Sequence, residues 1–419
     1  MYLFLPLKNI EISAPVGSFE SLKAAIDAGA NSVYFGVGIL NMRARSSFNF
    51  TLHDLVKIVS VCKKSNIKAY LTLNTVIYDQ ELKEMKRIID SAKKNGVTAI
   101  IASDQAVIQQ ARSVGMSVHM STQTNITNLE AIKYWARYSD VIVTARELSL
   151  IQVASLCRSI KKQNITGPSG NLVQIEVFAH GALCMAISGK CYLSLDYYNT
   201  SANRGACYQL CRRPYLVSDT EGEIELLVDN QYIMSPKDLC TIGFLDKIIQ
   251  SGVSVLKIEG RGRSPEYVKT VVSCYREAVE AIMDGSYGQK KIDAWIVRMK
   301  TVYNRGYWEG YYLGKKMGDW ATTHGSVATE SKEFVGKIFN YFKKLQVAEI
   351  KLESGYLECG DRVYIMGPTT GVVEIIIREI RVDLKKVDKT VRGEFCSIPV
   401  DTFLRRADKV YKILQTPGY

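Results

Sequence analysis

Along the first two thirds of the chain, short runs of β-branched and aromatic residues alternate with stretches whose apolar positions fall three and four apart. The runs at 10–14, 32–35, 68–73, 99–102, 117–121, 141–144, 175–178 and 255–258 read as strands. The stretches at 19–28, 52–65, 79–95, 104–114, 128–138, 149–161 and 238–251 have helical periodicity. Strands that recur at roughly 20–35-residue intervals with helices between them predict a parallel sheet. Eight of them predict an α/β fold, a closed (β/α)8 TIM-like barrel, with a doubly wound open sheet as the alternative. Two features favour the barrel. Polar residues collect just past the strands, at Ser13, Asn74-Thr75, Ser103-Asp104, Gln123, Arg146-Glu147, His180 and Glu259-Gly260-Arg261. In a barrel these share the C-terminal face, where sites are built. Glycine steps such as Asn95-Gly96-Val97 and Ser251-Gly252-Val253 read as helix C-caps leading into the next strand.

The interval between the seventh and eighth strands is more than twice the others, and the segment 179–254 is expected to be an insert on the active-site face. After the eighth strand come two helical stretches, 264–284 and 291–303. A polar linker follows, and from about residue 334 the pattern changes to short strands separated by glycines and acidic turns. The expected domains are therefore a barrel over 1–330 and a small all-β barrel over 331–419. The apolar opening Met1–Leu7 has no basic stretch before it and no cleavage site, so it reads as a short strand or barrel plug rather than an export signal.

Composition adds a partner class. The net charge is +12, from 54 Lys and Arg against 42 Asp and Glu, which is a hint of a polyanionic partner. Hydrophobic content of 47% is ordinary for a globular chain, and no apolar run reaches the length of a membrane helix. The expected location is the cytoplasm, where ten cysteines stay reduced.

Four of those cysteines stand out. Cys184, Cys191, Cys207 and Cys211 fall within 28 residues, embedded in Gly, Ser and Asn, with spacing Cys-x6-Cys-x15-Cys-x3-Cys. Four thiolates can hold zinc or an iron–sulfur cluster. Structural zinc favours tight Cys-x2-Cys knuckles, whereas wide spacings suit a larger cluster, and the glycines at 181, 189 and 205 let backbone approach it. Zinc and unligated redox thiols stay open as alternatives. Cys62, Cys157 and Cys274 sit in helical patterns as small apolar residues. In the insert, Tyr192, Tyr197, Tyr198, Tyr208 and Tyr215 stand beside Arg204, Arg212 and Arg213, either to stack on nucleic acid or to form the insert's own core.

The segment Glu176-x-Phe178-x-His180-Gly181-Ala182-Leu183-Cys184, followed by Ser188-Gly189-x-Cys191-x-Leu193-Ser194, resembles the signature of the peptidase U32 family. The resemblance continues at Ser13–Ser18, Asp27–Gly36, Ala145–Ser149, Leu256–Arg261 and Asn304–Tyr307, nearly the whole chain. The family takes its name from collagenase-like activity ascribed to some members; others are nucleic-acid or quinone hydroxylation proteins. The pattern is most similar to the tRNA-hydroxylating branch. That resemblance implies 5-hydroxylation of the tRNA wobble uridine with prephenate, a 4Fe-4S cluster on Cys184, Cys191, Cys207 and Cys211, and a translation-factor-like C-terminal domain. Relatives vary in the fourth ligand, so Cys240 is a possible replacement for one of these. An rRNA hydroxylase of the same family, a collagenase-like peptidase and a non-enzymatic RNA-associated factor are the competing readings.

Roles follow for the strand-end residues. Arg146, Lys257, Arg261 and Arg263 could clamp a dicarboxylate such as prephenate or an RNA phosphate, since the guanidinium fork suits both. Glu147, Glu176 and Glu259 are candidate acid–base groups or partners of those cations, and His180 a candidate proton shuttle. Arg43, Arg45, Asn74 and Gln123 are candidate substrate contacts. A cysteine peptidase would want a thiol beside a His and an orienting Asn or Asp. His180 lies only four residues before Cys184, and nothing completes a triad.

Overall fold

The computed structural model describes residues 10–45, 49–216, 232–315 and 318–416; the opening Met1–Leu7 lies outside them. Eight strands close the barrel. They are β1 (Glu11–Pro15), β2 (Ser32–Gly36), β3 (Lys68–Leu73), β4 (Ala99–Ala102), β5 (Ser117–Met120), β6 (Val141–Val143), β7 (Gln174–Gly181) and, after an interruption, β9 (Val255–Ile258). All neighbours pair in parallel, and β9 closes the ring by pairing with both β1 and β7. The crossover helices are α1 (Phe19–Asp27), α2 (Asp54–Lys64), α3 (Leu82–Asn95), α4 (Gln105–Ser113), α5 (Leu129–Ala136) and α6 (Leu150–Lys162).

Each helix is set locally by its sequence. Ser18, Asp104, Asn128 and Ser149 cap their helices by accepting backbone N–H groups of the first turn. On α3, Met85, Ile88, Ile89 and Ala92 recur at i, i+3, i+4 and i+7 and are the buried positions. Burying each large aliphatic chain contributes about 1.5–3 kcal/mol. This apolar layer lies between the helices and the outward side of the strands, where Ile12, Val33, Phe35, Leu71, Ile100 and Val177 are buried.

The inward side is different. Barrel interiors are usually layered with Val, Ile and Leu. Here the Tyr70 hydroxyl donates to Glu11 at 2.7 Å, and the Tyr70 ring meets His119 with centroids 4.5 Å apart. Lys257 Nζ lies 2.8 Å from Glu176 and 4.5 Å from the Tyr34 ring centre. Burial pulls the His119 imidazole down to about 4 from its ordinary 6.5. A buried neutral His binds its proton less tightly than the unfolded chain does, so its contribution to stability is intact above pH 6.5 and lost as pH falls toward 4. The stability difference between the wild type and His119→Phe should therefore shrink as pH falls through that window, by about 1.4 kcal/mol per pH unit. Urea unfolding of both proteins from pH 7 to pH 5 measures it, and a difference that does not move with pH excludes a neutral buried imidazole.

The insert leaves at the end of β7. It carries α7 (Leu193–Tyr198) and returns through β8 (Asp238–Cys240), which pairs antiparallel with the tip of β7. The helix expected over 238–251 is thus mostly replaced: β8 comes first, and only α8 (Leu245–Gln250) is α-helical. After β9 come α9 (Pro265–Met283), α10 (Gln289–Lys300) and the two-residue β10 (Tyr307–Trp308), which adds to β8.

The C-terminal domain is an eight-stranded antiparallel sheet. Its strands are β11 (Glu330–Phe342), β12 (Val347–Leu352), β13 (Arg362–Gly367), β14 (Gly371–Ile376), β15 (Ile380–Val382), β16 (Lys385–Val387), β17 (Phe395–Pro399) and β18 (Lys409–Gln415). The order is β14-β13-β18-β11-β12-β17-β15-β16, around a core that includes Val335, Ile350, Val363, Ile398 and Val410. Tyr364, Met366, Val372 and Ile413 pack on Ala24 of α1, and Lys332 pairs with Glu266 of α9 at 2.7 Å, so the sheet docks on the outer helices.

Candidate active site

At the C-terminal mouth of the barrel, under the insert, lies a cavity of about 440 Å³. Its floor is the top of the barrel interior, with Tyr34, Thr72, Phe178 and Lys257. One wall is made by loops after the strands, with Arg43, Asn74, Gln123, Arg146, Glu259, Arg261 and Arg263. The other wall is the insert, which contributes all four clustered cysteines, Cys184, Cys191, Cys207 and Cys211.

Two glycines let the insert close over the mouth. Gly181 has φ +105°, and a Cβ there would stand 2.6 Å from the Glu259 carbonyl oxygen. Gly205 has φ +82°, and a Cβ there would stand 2.3 Å from the Asn41 carbonyl oxygen. Their close approach is to barrel loops, a use different from the cluster-facing one expected from sequence. Arg212 fixes the insert from within, donating to the carbonyls of Leu183 and Pro236.

The cavity is strongly cationic. Glu259 is its only lining carboxylate among the described residues. Arg43 donates to one Glu259 oxygen through Nε at 3.2 Å and Nη2 at 2.9 Å. Burial would push Glu259 up, but Arg43, Arg263 and Arg146 outweigh it and hold the carboxyl at about 2. Arg305 pairs with buried Asp238 at 3.3 Å. Arg261 has no carboxylate in hydrogen-bond reach among the described residues; Nη1 donates to the Thr72 hydroxyl at 2.9 Å. Burial brings its guanidinium down to about 10, still charged at neutral pH. Arg146 donates to the Ala182 carbonyl at 2.8 Å and lies 3.7 Å over the Phe178 ring, with Nε buried and without a partner among the described residues. Guanidiniums that lack carboxylate partners in a desolvated pocket are an anion-binding arrangement.

The thiols sense one another. Burial raises Cys211, and Cys184, Cys207 and Cys191 raise it further; Cys191 is raised by burial and by Cys184 and Cys207. Among the described residues no three His, Cys, Asp or Glu side chains gather tightly enough to hold a single metal ion. Cys240 does not line the cavity; it lies on β8 beside Tyr275, where burial raises its thiol to about 11.

Several expected site residues lie elsewhere. His180 is buried behind the cavity wall, among Tyr267, Tyr275 and Tyr307. The cause is a bulge in the β7–β9 ladder between Phe178 and His180. It breaks the alternation that places Glu176 and Phe178 inside, so His180 turns outward. Glu147 is exposed and lines no part of the cavity. Glu176 lies beneath the floor as the partner of Lys257. Arg45 sits outside on the rim, 4.5 Å from the Tyr208 ring centre. Sequence reasoning missed Arg212 and Arg305 as lining residues, and Asp238 as the buried partner of Arg305. Arg305 belongs to the Asn304–Tyr307 segment already singled out, but nothing local marks it as turned toward a distant barrel mouth.

Comparison with known proteins places this site in a family. Over 406 residues the chain is 53% identical to a protein named collagenase from Porphyromonas gingivalis, covering 97% of this chain and 98% of that one. It is 30% identical over 368 residues to a tRNA hydroxylation protein of Bacillus subtilis, covering 86% of this chain and 84% of that one. It is 31% identical over 339 residues to a 23S rRNA 5-hydroxycytidine synthase of Escherichia coli, covering 78% of this chain and 48% of that one. Residues 17–322, which hold the barrel after its first strand, the cysteine insert and every cavity-lining side chain, match the model of peptidase family U32, and the chain belongs to that family.

Proposed function

We propose that this protein is an RNA-modifying enzyme that hydroxylates a pyrimidine at carbon 5, with the tRNA wobble uridine as target, prephenate as co-substrate and a 4Fe-4S cluster on Cys184, Cys191, Cys207 and Cys211. The observation that carries the reading is the cavity itself: unneutralised arginines on one wall, four thiols on the other. The donor set suits a cluster. All four thiols line the same cavity, and Cys191 and Cys211 are raised by the charge of the others, a soft donor set of the kind that holds iron–sulfur clusters. When bound, such a cluster would supply electron transfer or a Lewis-acidic iron at the wall.

The chain's own groups would bind and orient. Arg261 and Arg146 offer hydrogen bonds to the carboxylates of a dicarboxylate co-substrate or to a phosphate. Lys257, held by Glu176 at 2.8 Å, presents its ammonium to the cavity floor. Glu259, kept ionised, fixes Arg43 through two hydrogen bonds to one oxygen. The names of the Bacillus and Escherichia relatives support an RNA substrate.

A peptidase is the second reading, favoured by the name of the 53%-identical relative. A thiol or hydroxyl nucleophile would need a base within hydrogen-bond reach. None of His53, His119, His180 and His324 lines the cavity.

Mass spectrometry of nucleosides from tRNA and rRNA, with and without this gene, tests the proposal. The expected result is loss of a 5-hydroxypyrimidine from tRNA. Loss from rRNA alone would redirect the substrate, and unchanged nucleosides together with gelatin cleavage by the purified protein would replace the reading by the peptidase.

A further inference from the structure

We propose that the insert's tyrosines form a stacking platform that takes an unpaired RNA loop and feeds one extruded nucleotide into the cavity; this rests on the reading of RNA as substrate. Tyr192 is 75% exposed and Tyr197 66% exposed. An insert that used its tyrosines as a private core would bury them. Tyr198 and Tyr208 lie with ring centroids 4.5 Å apart, and Tyr197 adjoins Tyr198 at 5.8 Å.

Two arginines complete the array. Arg45 lies 4.5 Å from the Tyr208 ring centre. Arg213 donates to the Tyr198 hydroxyl at 2.8 Å and lies 5.7 Å from its ring centre. Neither forms an ion pair with a carboxylate among the described residues, so their charge is available to phosphate. Tyr192, the residue before the helix that carries Tyr197 and Tyr198, lines the cavity, so the exposed tyrosines of the insert start at the site.

The occupant follows from this chemistry. Exposed aromatic faces stack on bases of any sequence, and arginines beside them neutralise the backbone. A duplex hides its base faces and cannot use the platform. A cavity of about 440 Å³ admits a base and small molecules but not a helix, so the target must leave the stack to enter.

The test uses the full chain, a short RNA hairpin with 2-aminopurine in its loop, and the same sequence annealed as a blunt duplex. The hairpin should bind at least about tenfold more tightly than the duplex, with a change in 2-aminopurine fluorescence. Tyr197→Ala and Tyr198→Ala should each weaken hairpin binding about tenfold and leave duplex binding unchanged, while Tyr197→Phe and Tyr198→Phe keep it. Arg213→Ala should reduce the slope of log affinity against log salt by about 1. Equal binding of hairpin and duplex, or alanine variants that bind the hairpin like the wild type, would overturn the platform while leaving RNA as substrate. Failure of the wild type to bind either RNA would overturn both. A gelatin peptide that displaces the hairpin and depends on the same tyrosines would assign the surface to a protein partner instead.

Discussion

Replacing Lys257 by methionine is expected to lower folding stability by about 3–5 kcal/mol, the usual cost of removing one partner of a buried ion pair. Lys257 is 5% exposed and Glu176 1% exposed, and they meet at 2.8 Å inside the barrel. Methionine fills the volume but leaves the carboxylate with no cation. Burial already raises Glu176 above its ordinary 4.5, with Lys257 as the main opposing influence. Without Lys257 the carboxyl would hold its proton to higher pH. A raised carboxyl adds stability that is present at low pH and lost as pH climbs through its folded value, so the variant's deficit should be small near pH 4.5 and grow toward neutrality. Lys257→Met combined with Glu176→Leu should recover most of the loss, because an apolar pair of similar volume is often as stable as a buried ion pair. Urea unfolding of the two single variants, the double variant and the wild type at pH 7 and pH 5 measures all of this. If Lys257→Met unfolds at the wild-type midpoint at pH 7, the barrel interior does not hold a charged pair.

The largest functional effect is expected at the thiols. With the proposed cluster in place, the anaerobically purified wild type is expected to be brown and to contain iron; Cys184→Ser should then strip both and lower the proposed RNA hydroxylation at least about a hundredfold, the upper range even for losing a supporting contact around a metal. Cys184 is exposed, so in the cluster-free protein the substitution itself should change folding stability by no more than about 0.5 kcal/mol. Cys240→Ala is the matched control. Its thiol lies on β8 away from the cavity, so iron and colour should remain even though a half-buried side chain has been trimmed. Iron analysis and visible absorbance of the two variants decide between the ligand sets. Iron retained in Cys184→Ser and lost in Cys240→Ala would reverse the assignment.

The fold was legible because its periodicity is local. A strand followed by an amphipathic helix repeats along the barrel, and each unit declares itself within a short window. What escaped depends on contacts between distant segments. β8 is three residues long and precedes a helical pattern, so Asp238–Cys240 carries no strand signal until β7 and β10 are beside it. β15 and β16 are short and charged, as in Arg381 and Lys385-Lys386, and β17 begins with an exposed Phe395, so the alternation is weak. In the site, residues at the ends of regular strands were found by position alone, as with Arg146, Lys257, Glu259 and Arg261. His180 was misplaced because one bulge inverts a period-two argument, and a bulge is a property of two strands, not of one sequence. The tyrosines of the insert could not be divided between core and surface until the exposure of Tyr192 and Tyr197 was known.

The way the insert is attached has an evolutionary consequence. It departs from the tip of β7 and comes back on β8, which is hydrogen-bonded to that same tip. Both anchor points therefore belong to one strand pair, and the chain between them can gain or lose residues without displacing any of the eight parallel strands. Length change between Cys211 and Asp238 should accordingly be cheap for descendants of this fold, while change between Cys184 and Cys211 should be rare. A chain built this way can retune what it admits to the barrel mouth by editing one loop, and the chemistry below inherits each new opening unchanged.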